Sequence, residues 1–396
     1  MKLTFISLLT IFLSTINSNA QTTDLQILIN NAKDGDTIFL DDGVYSVIPS
    51  DYIENECGNC RKHETIVYGT KGFLVENKSL HIIGTSPEKV VIITNAGYGL
   101  LFLNSKNSTI SNVTITGGVR DTSGDATNGG IVLKYSHVLI ENCVISNDTV
   151  RFANDPVVGI CGIVIREGSF ALIRNNIIVR NTWDGIALYR GANAVIEDNI
   201  IQTGRGAGIG VTWNANALIV RNKVSGFWKG IGTFGNSKAE VYNNAVFDNL
   251  GWGIVISGNS EMQLINNVIT RNGNCGVAPW TSDSAHVKAV IVNNIITLNG
   301  WRDEWVCPQV GYWMNAPGSD ITFKYNNVWG NYHGEYRNTD NLTGESGNIS
   351  VDPLFNSDYD FGLQLNSKMK YSGDPNIKNM DNSRSNIGLT GGLYAK

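Results

Sequence analysis

The sequence predicts an all-β solenoid of about ten short turns, with a small helical cover at its front and an irregular cover at its rear. Six segments that open with a glycine and an apolar residue begin at Gly162, Gly185, Gly208, Gly230, Gly253 and Gly276. They start 23, 23, 22, 23 and 23 residues apart, a fixed period that marks a repeat architecture. Charged residues make up only 16% of the 396, alongside 43 glycines and 48 asparagines. That composition lacks the Glu, Lys, Ala and Leu that long amphipathic helices use. With 42% hydrophobic residues the chain can bury a large core, which excludes general disorder.

Residues 1–20 read as a secretory leader, with Lys2, an apolar run from Leu3 to Leu13, and the small residues Ser18 and Ala20 before a cut. The run is too short to span a membrane, and no other apolar stretch is long enough. Residues 21–72 are expected to form the front cap and first coil, with a short helix over Asp24 to Ala32, a turn at Asp34-Gly35-Asp36 and a strand over Thr37 to Leu40. The repeats occupy 73–330. After each glycine-led strand a second apolar alternation ends at an asparagine, namely Asn176, Asn199, Asn222, Asn244, Asn267 and Asn294, and Asn112, Asn142 and Asn327 extend the series. Short β-type runs at this period fit one turn of about three strands, with equivalent residues stacked about 4.8 Å apart. Stacked asparagines can hydrogen-bond along the axis, and the glycines are expected to give the backbone freedom that a corner needs. The tail, 331–396, loses the period and reads as the rear cover. Six cysteines in an exported chain permit disulfides, with Cys57–Cys60 as a local bridge and Cys275–Cys307 as a staple across the insertion between them.

The front run Asp36-Thr-Ile-Phe-Leu-Asp-Asp-Gly-Val-Tyr45, the Gly-Ile-x-Leu and Asn-Asn coils and the rear Asp352-Pro-Leu-Phe resemble the pectate-lyase-like superfamily over nearly the whole mature sequence. The resemblance implies a right-handed parallel β-helix. It leaves the activity open among polysaccharide lyases, glycoside hydrolases, epimerases and non-catalytic periplasmic proteins, so function rests on a site. The ordered polygalacturonase motifs are missing, since Asn338-Thr-Asp340 lies in the tail and no Gly-His-Gly occurs. The Trp-Ile-Asp-His signature of one pectate lyase group is also absent.

Strand alternation turns the second and fourth positions after each glycine outward. The second gives a small row suited to a groove floor: Val132, Val164, Ala187, Gly210, Gly232, Val255, Ala278. The fourth gives Lys134, Arg166, Tyr189, Thr212, Phe234, Ser257 and Trp280. Lys134 beside Arg166 is a like-charge contact that an anion would relieve, and a guanidinium next to Tyr189 would favour its phenolate. Tyr189 is therefore expected as a general base, Arg166 as the neutraliser of a substrate carboxylate, and Lys134 and Arg190 as ligand holders. Trp183, Trp213, Trp228, Trp252 and Trp280, with Lys229, form the expected sugar platform, because contiguous exposed aromatics mark binding surfaces. Asp184 belongs to the same centre, although a corner position leaves its direction undecided.

The resulting expectation is a secreted enzyme that cleaves a uronic-acid-containing polysaccharide or oligosaccharide by β-elimination. Two alternatives stay open: a glycoside hydrolase using Asp121, Asp125, Asp155, Glu167 or Asp184, and a glycan-binding envelope protein without turnover. The loop acids Asp121, Asp125 and Asp155 are also candidate Ca²⁺ ligands. Net charge is −5 for the full sequence, and loss of Lys2 with the leader makes it −6, so nucleic acid is an improbable partner. Five histidines without paired spacing argue against a zinc site.

Overall fold

A computed structural model describes residues 24–147, 159–282 and 285–396. Three parallel sheets run the length of the solenoid, and each coil contributes one strand to each. We number them by order within a coil. Sheet I has twelve strands and carries the glycine-led segments such as Gly129–Lys134; sheets II and III have eleven each, with His137–Glu141 and Val144–Ser146 as examples. Inward isoleucines, valines and leucines stack coil on coil, and Ile131, Ile163, Ile186, Ile209, Ile231 and Ile254 are fully buried in one continuous core.

The asparagine column between sheets II and III is structural. From Asn176 through Asn199, Asn222, Asn244, Asn267 and Asn294, each side-chain oxygen accepts from the backbone N–H and the Nδ2 of the preceding asparagine. The ladder satisfies buried backbone groups at a corner where no sheet can. The sequence expectation is off by one residue at both ends. Cys143 precedes Asn176 in the column, and Asn326, not Asn327, follows Asn294. Asn112 and Asn142 sit one step earlier, with φ of 57° and 53°, in the left-handed conformation that asparagine tolerates.

The glycines also serve a different purpose from the one expected. None of the six leading the repeats has positive φ. A Cβ on Gly162, Gly185 or Gly208 would lie 2.7 Å from the carbonyl oxygen of the next glycine in the stack, so close coil-to-coil approach demands the missing side chain. Strand pairing skips this residue: Ala207 pairs with Lys229, then Ile209 with Ile231. Alternation is broken there, and the residue before each glycine faces out.

At the front, helix Leu25–Asn31 is capped by Asp24, whose side chain accepts from Gln26 N. It buries Leu25 and Ile29 against the first coil, and Lys78 donates to its terminal carbonyls at Ile29 and Ala32. Strand Ser50–Glu54 pairs antiparallel with Val67–Glu76 and carries the segment between them over the outer wall of sheet I. Both expected bridges, Cys57–Cys60 and Cys275–Cys307, are present. The irregular tail covers the rear end only with its first part, where Tyr336–Arg337 pairs with Tyr312–Trp313 and Tyr336 packs on the main core. Phe361, Met369 and Ile387 pack on Ala245, Phe247, Val268 and Ile295 along the outer face of sheet III, while Asn348 ends the ladder. Among the described residues, no helix is long and apolar enough to cross a membrane.

Candidate active site

The outward rows of sheet I have the register expected from sequence. Lys134 pairs with Arg166, Val132 with Val164, Val164 with Ala187, Ala187 with Gly210 and Gly210 with Gly232. Their surroundings overturn two expected roles. Lys134 is 6% exposed and Arg166 fully buried, because the Ser50–Val67 segment lies on them. Glu54 Oε2 accepts from Lys134 Nζ at 2.7 Å, and Glu54 Oε1 from Arg166 Nη1 at 2.8 Å. Glu56 adds a second carboxylate to Lys134 at 3.0 Å, Glu167 pairs with the Arg166 Nε, and His63 reaches Glu167 at 3.1 Å. Two cations face three carboxylates, so neither has charge to spare for a substrate. Lys134 as ligand holder and Arg166 as carboxylate neutraliser are therefore corrected to anchors of the covering segment.

Arg190 has the same fate. Its guanidinium donates to the carbonyls of Gly58 and Cys60 and lies 4.9 Å from the ring centre of Trp213. Trp213 in turn packs edge-on against Phe234. Arg190 thus holds the covering loop and Trp213 packs on Arg190 and Phe234, neither lining the cleft, which corrects their expected roles as a ligand holder and a sugar platform.

The open part of the wall begins one coil further on. A cleft of about 500 Å³ is lined by Trp183, Asp184, Tyr189, Trp228, Lys229, Trp252 and Trp280, which the sequence picked out, by Phe234 of the outward row, and by Asn59, Arg205 and Val306, which it did not. Sheet I supplies the floor through the small row Gly210, Gly232 and Val255. A side wall comes from the insertion that Cys275–Cys307 staples, where Trp305 stacks edge-on against Trp228 with ring centres 3.8 Å apart. Asp184 and Lys229 occupy the bulged position before the glycine, two coils apart with Ala207 between them. A Cβ on Gly206 would clash with Asp184 Oδ1, so this glycine makes room for the carboxylate, whereas one on Gly210 would meet Oδ2 at an ordinary contact distance.

Asp184 and Tyr189 are both buried and line the same end of the cleft, and Ala207 N donates to Asp184 Oδ1 at 2.5 Å. Burial raises the Asp184 carboxyl to about 6, against the opposing pull of the Lys229 charge, the Ala207 N–H and the Tyr189 hydroxyl. Burial, reinforced by the Asp184 charge, drives the Tyr189 phenol well above its ordinary range. The Arg166 charge acts the other way but is outweighed. Tyr189 is thus held protonated, which corrects its expected role as a base.

The loop acids do not gather. Asp121 is buried, accepting from Thr70 Oγ1 and from Asn128 Nδ2, each at 2.7 Å. Asp125 lines a separate 150 Å³ chamber, and Asp155 lies outside the described residues. Among the described residues, no three His, Cys, Asp or Glu side chains are placed to hold a metal ion.

Residues 129–296 match the family described as right handed beta helix region. The fold is a right-handed parallel β-helix of three stacked sheets. Among solved structures it is similar to the A-module of the mannuronan C-5 epimerase AlgE4 of Azotobacter vinelandii, at 16% identity over 80% of this chain and 87% of that one, with a TM-score of 0.46. The pectate lyase Pel9A matches at 14% identity over 93% and 90% of the two chains, with a TM-score of 0.44. The periplasmic alginate epimerase AlgG matches at 14% identity over 76% and 83%, with a TM-score of 0.35. These likenesses concern the fold alone. No curated protein matches the sequence significantly.

Proposed function

We propose that this is an exported polysaccharide-active enzyme that cleaves a uronic-acid-containing glycan by β-elimination in the cleft around Asp184 and Tyr189. The observation that carries the reading is the pairing of one buried carboxylate with one protonated phenol at the end of a tryptophan-lined cleft that also holds Lys229. Ionised Asp184 takes the proton from the carbon bearing the uronate carboxylate. The C–O bond to the neighbouring sugar breaks as the ring double bond forms, and the Tyr189 O–H protonates the leaving oxygen. The proton held by Asp184 then passes to the neighbouring Tyr189 phenolate, which restores both groups. Lys229 and Arg205 are the cations available to offset the substrate carboxylate as negative charge develops. Tryptophan rings present flat apolar faces on which sugar rings stack.

Hydrolysis has less support. It needs two carboxyl groups flanking the scissile bond, and Asp184 is the one carboxylate among the described residues of the cleft lining. Export is favoured by the leader-like N-terminus and by two disulfides, which persist in oxidising compartments.

Incubation with pectic acid, alginate and glycosaminoglycans tests the reading. Ultraviolet absorbance from unsaturated uronyl ends is the expected result. New reducing ends without that absorbance would replace elimination by hydrolysis, and uronate inversion without chain cleavage would replace it by epimerisation. Binding with no turnover would leave a glycan-binding protein.

A further inference from the structure

We propose that the cleft takes a glycan of mixed charge, with an ionised uronate at the Asp184–Lys229 end and uncharged rings, neutral or esterified, from Trp252 onward. This rests on the function proposed above and adds the substrate class. The cleft crosses five coils of sheet I, from Asp184 through Ala207, Lys229 and Trp252 to Trp280, or about 19 Å at one strand spacing per coil. Among the described residues, its ionisable side chains are confined to the first three. Asp184 and Tyr189 belong to the first, the exposed Arg205 to the corner before the second, and Lys229 to the third, with its aliphatic stem beside Gly232 on the floor.

Past Lys229 the character changes within one strand spacing. Trp252 is the register partner of Lys229 on the next coil, and the lining from there on is Trp252, Val255, Ser257, Trp280 and Val306, with no charged group among the described residues. The neighbouring wall insertion is net negative. Its Arg302 guanidinium lies 5.2 Å from the Trp305 ring centre and donates to the Leu250 carbonyl, and the exposed Asp303 and Glu304 follow it. A carboxylate seated in this part would lose water without gaining a counter-charge, and would meet the electron-rich faces of the indole rings. An uncharged ring loses less on entering and stacks its C–H face on the same indoles. A fully ionised polyuronate, with a carboxylate on every ring, therefore suits only the Asp184–Lys229 end.

The test compares a polyuronate that the enzyme cleaves with the same polymer partly converted to its methyl ester, at neutral pH and one ionic strength, so that sugar and linkage stay constant. Partial esterification should raise kcat/KM about 5-fold, mainly through a lower KM. A steady fall with esterification would overturn the mixed-charge assignment and leave the elimination reading intact. Trp280→Lys, which puts a cation at the far end, should move the preference back toward the fully ionised polymer, and an unmoved preference would also overturn the assignment. Where no polyuronate is cleaved, the function reading falls, and calorimetric titration of an oligouronate and its partly esterified form reads the same charge pattern. The esterified form should bind about 5-fold more tightly, and equal or weaker binding would overturn the proposal.

Discussion

The front and rear halves of the outer wall of sheet I share one register and one alternation, yet they are opposite environments. In the front half Tyr98, Leu101, Val132 and Val164 form a second apolar cluster beneath the covering hairpin, which runs on through Ala187 to Tyr189 at the cleft, and the charged groups there are buried and mutually paired. In the rear half the same rows floor an open cleft with tryptophans on its rim. Repeat geometry decides which wall a side chain faces. Whether that wall is a surface or an interior is decided by what the inserted segments lay upon it.

Substitutions in the two halves should therefore fail in different ways. The largest effect is expected in the rear: Tyr189→Phe should lower kcat about 10²- to 10³-fold with an unchanged melting temperature, as loss of a positioned proton donor does. A variant with normal kcat and weakened stability would reduce Tyr189 to a packing residue of the front cluster. In the front, Glu54→Gln removes the carboxylate shared by Lys134 and Arg166. It should cost about 3 kcal/mol in denaturant unfolding, because buried cations lose their partner. A neutral result would mean that the hairpin contributes nothing to stability.

The ladder serves both halves alike. Asn222→Ala strands the Asn199 N–H and three acceptors of its own Nδ2, and should cost about 3 kcal/mol in the same assay. The smallest effect is expected at the rim, where Trp228→Ala should raise KM about 10-fold with little change in kcat, since it removes uniform binding. A fall in kcat alone would place that ring on the reacting sugar.

Much of the fold was legible because its signal repeats: the glycine period, the inward isoleucines and the Asn column are each written many times over. The outward rows of sheet I were legible for the same reason. The environment of Lys134 and Arg166 was not, because their partner Glu54 lies 80 and 112 residues away in a single, non-repeating hairpin. The direction of Asp184 and Lys229 was hidden by the bulge at each glycine, which interrupts the period-two rule. Arg205 and Asn59 carried no motif at all. They reach the cleft through a corner and a loop tip whose paths only tertiary structure fixes.

Asp184 joins the two kinds of test. Folded, it keeps its proton up to about pH 6; unfolded, it releases it near the ordinary 3.8. Its contribution to stability is thus present in acid and lost as pH rises through about 6, by about 3 kcal/mol once the carboxylate is fully ionised. Asp184→Asn should abolish that loss and leave the variant more stable than wild type at pH 8.

The central claim, that Asp184 is the base of the reaction, is tested most directly by kcat/KM for unsaturated product from a polyuronate as a function of pH, in wild type and Asp184→Asn. The wild-type profile should rise through a limb near pH 6, and the variant should lose at least 10³-fold at every pH. Turnover by Asp184→Asn at the wild-type rate, with the same limb, would contradict it.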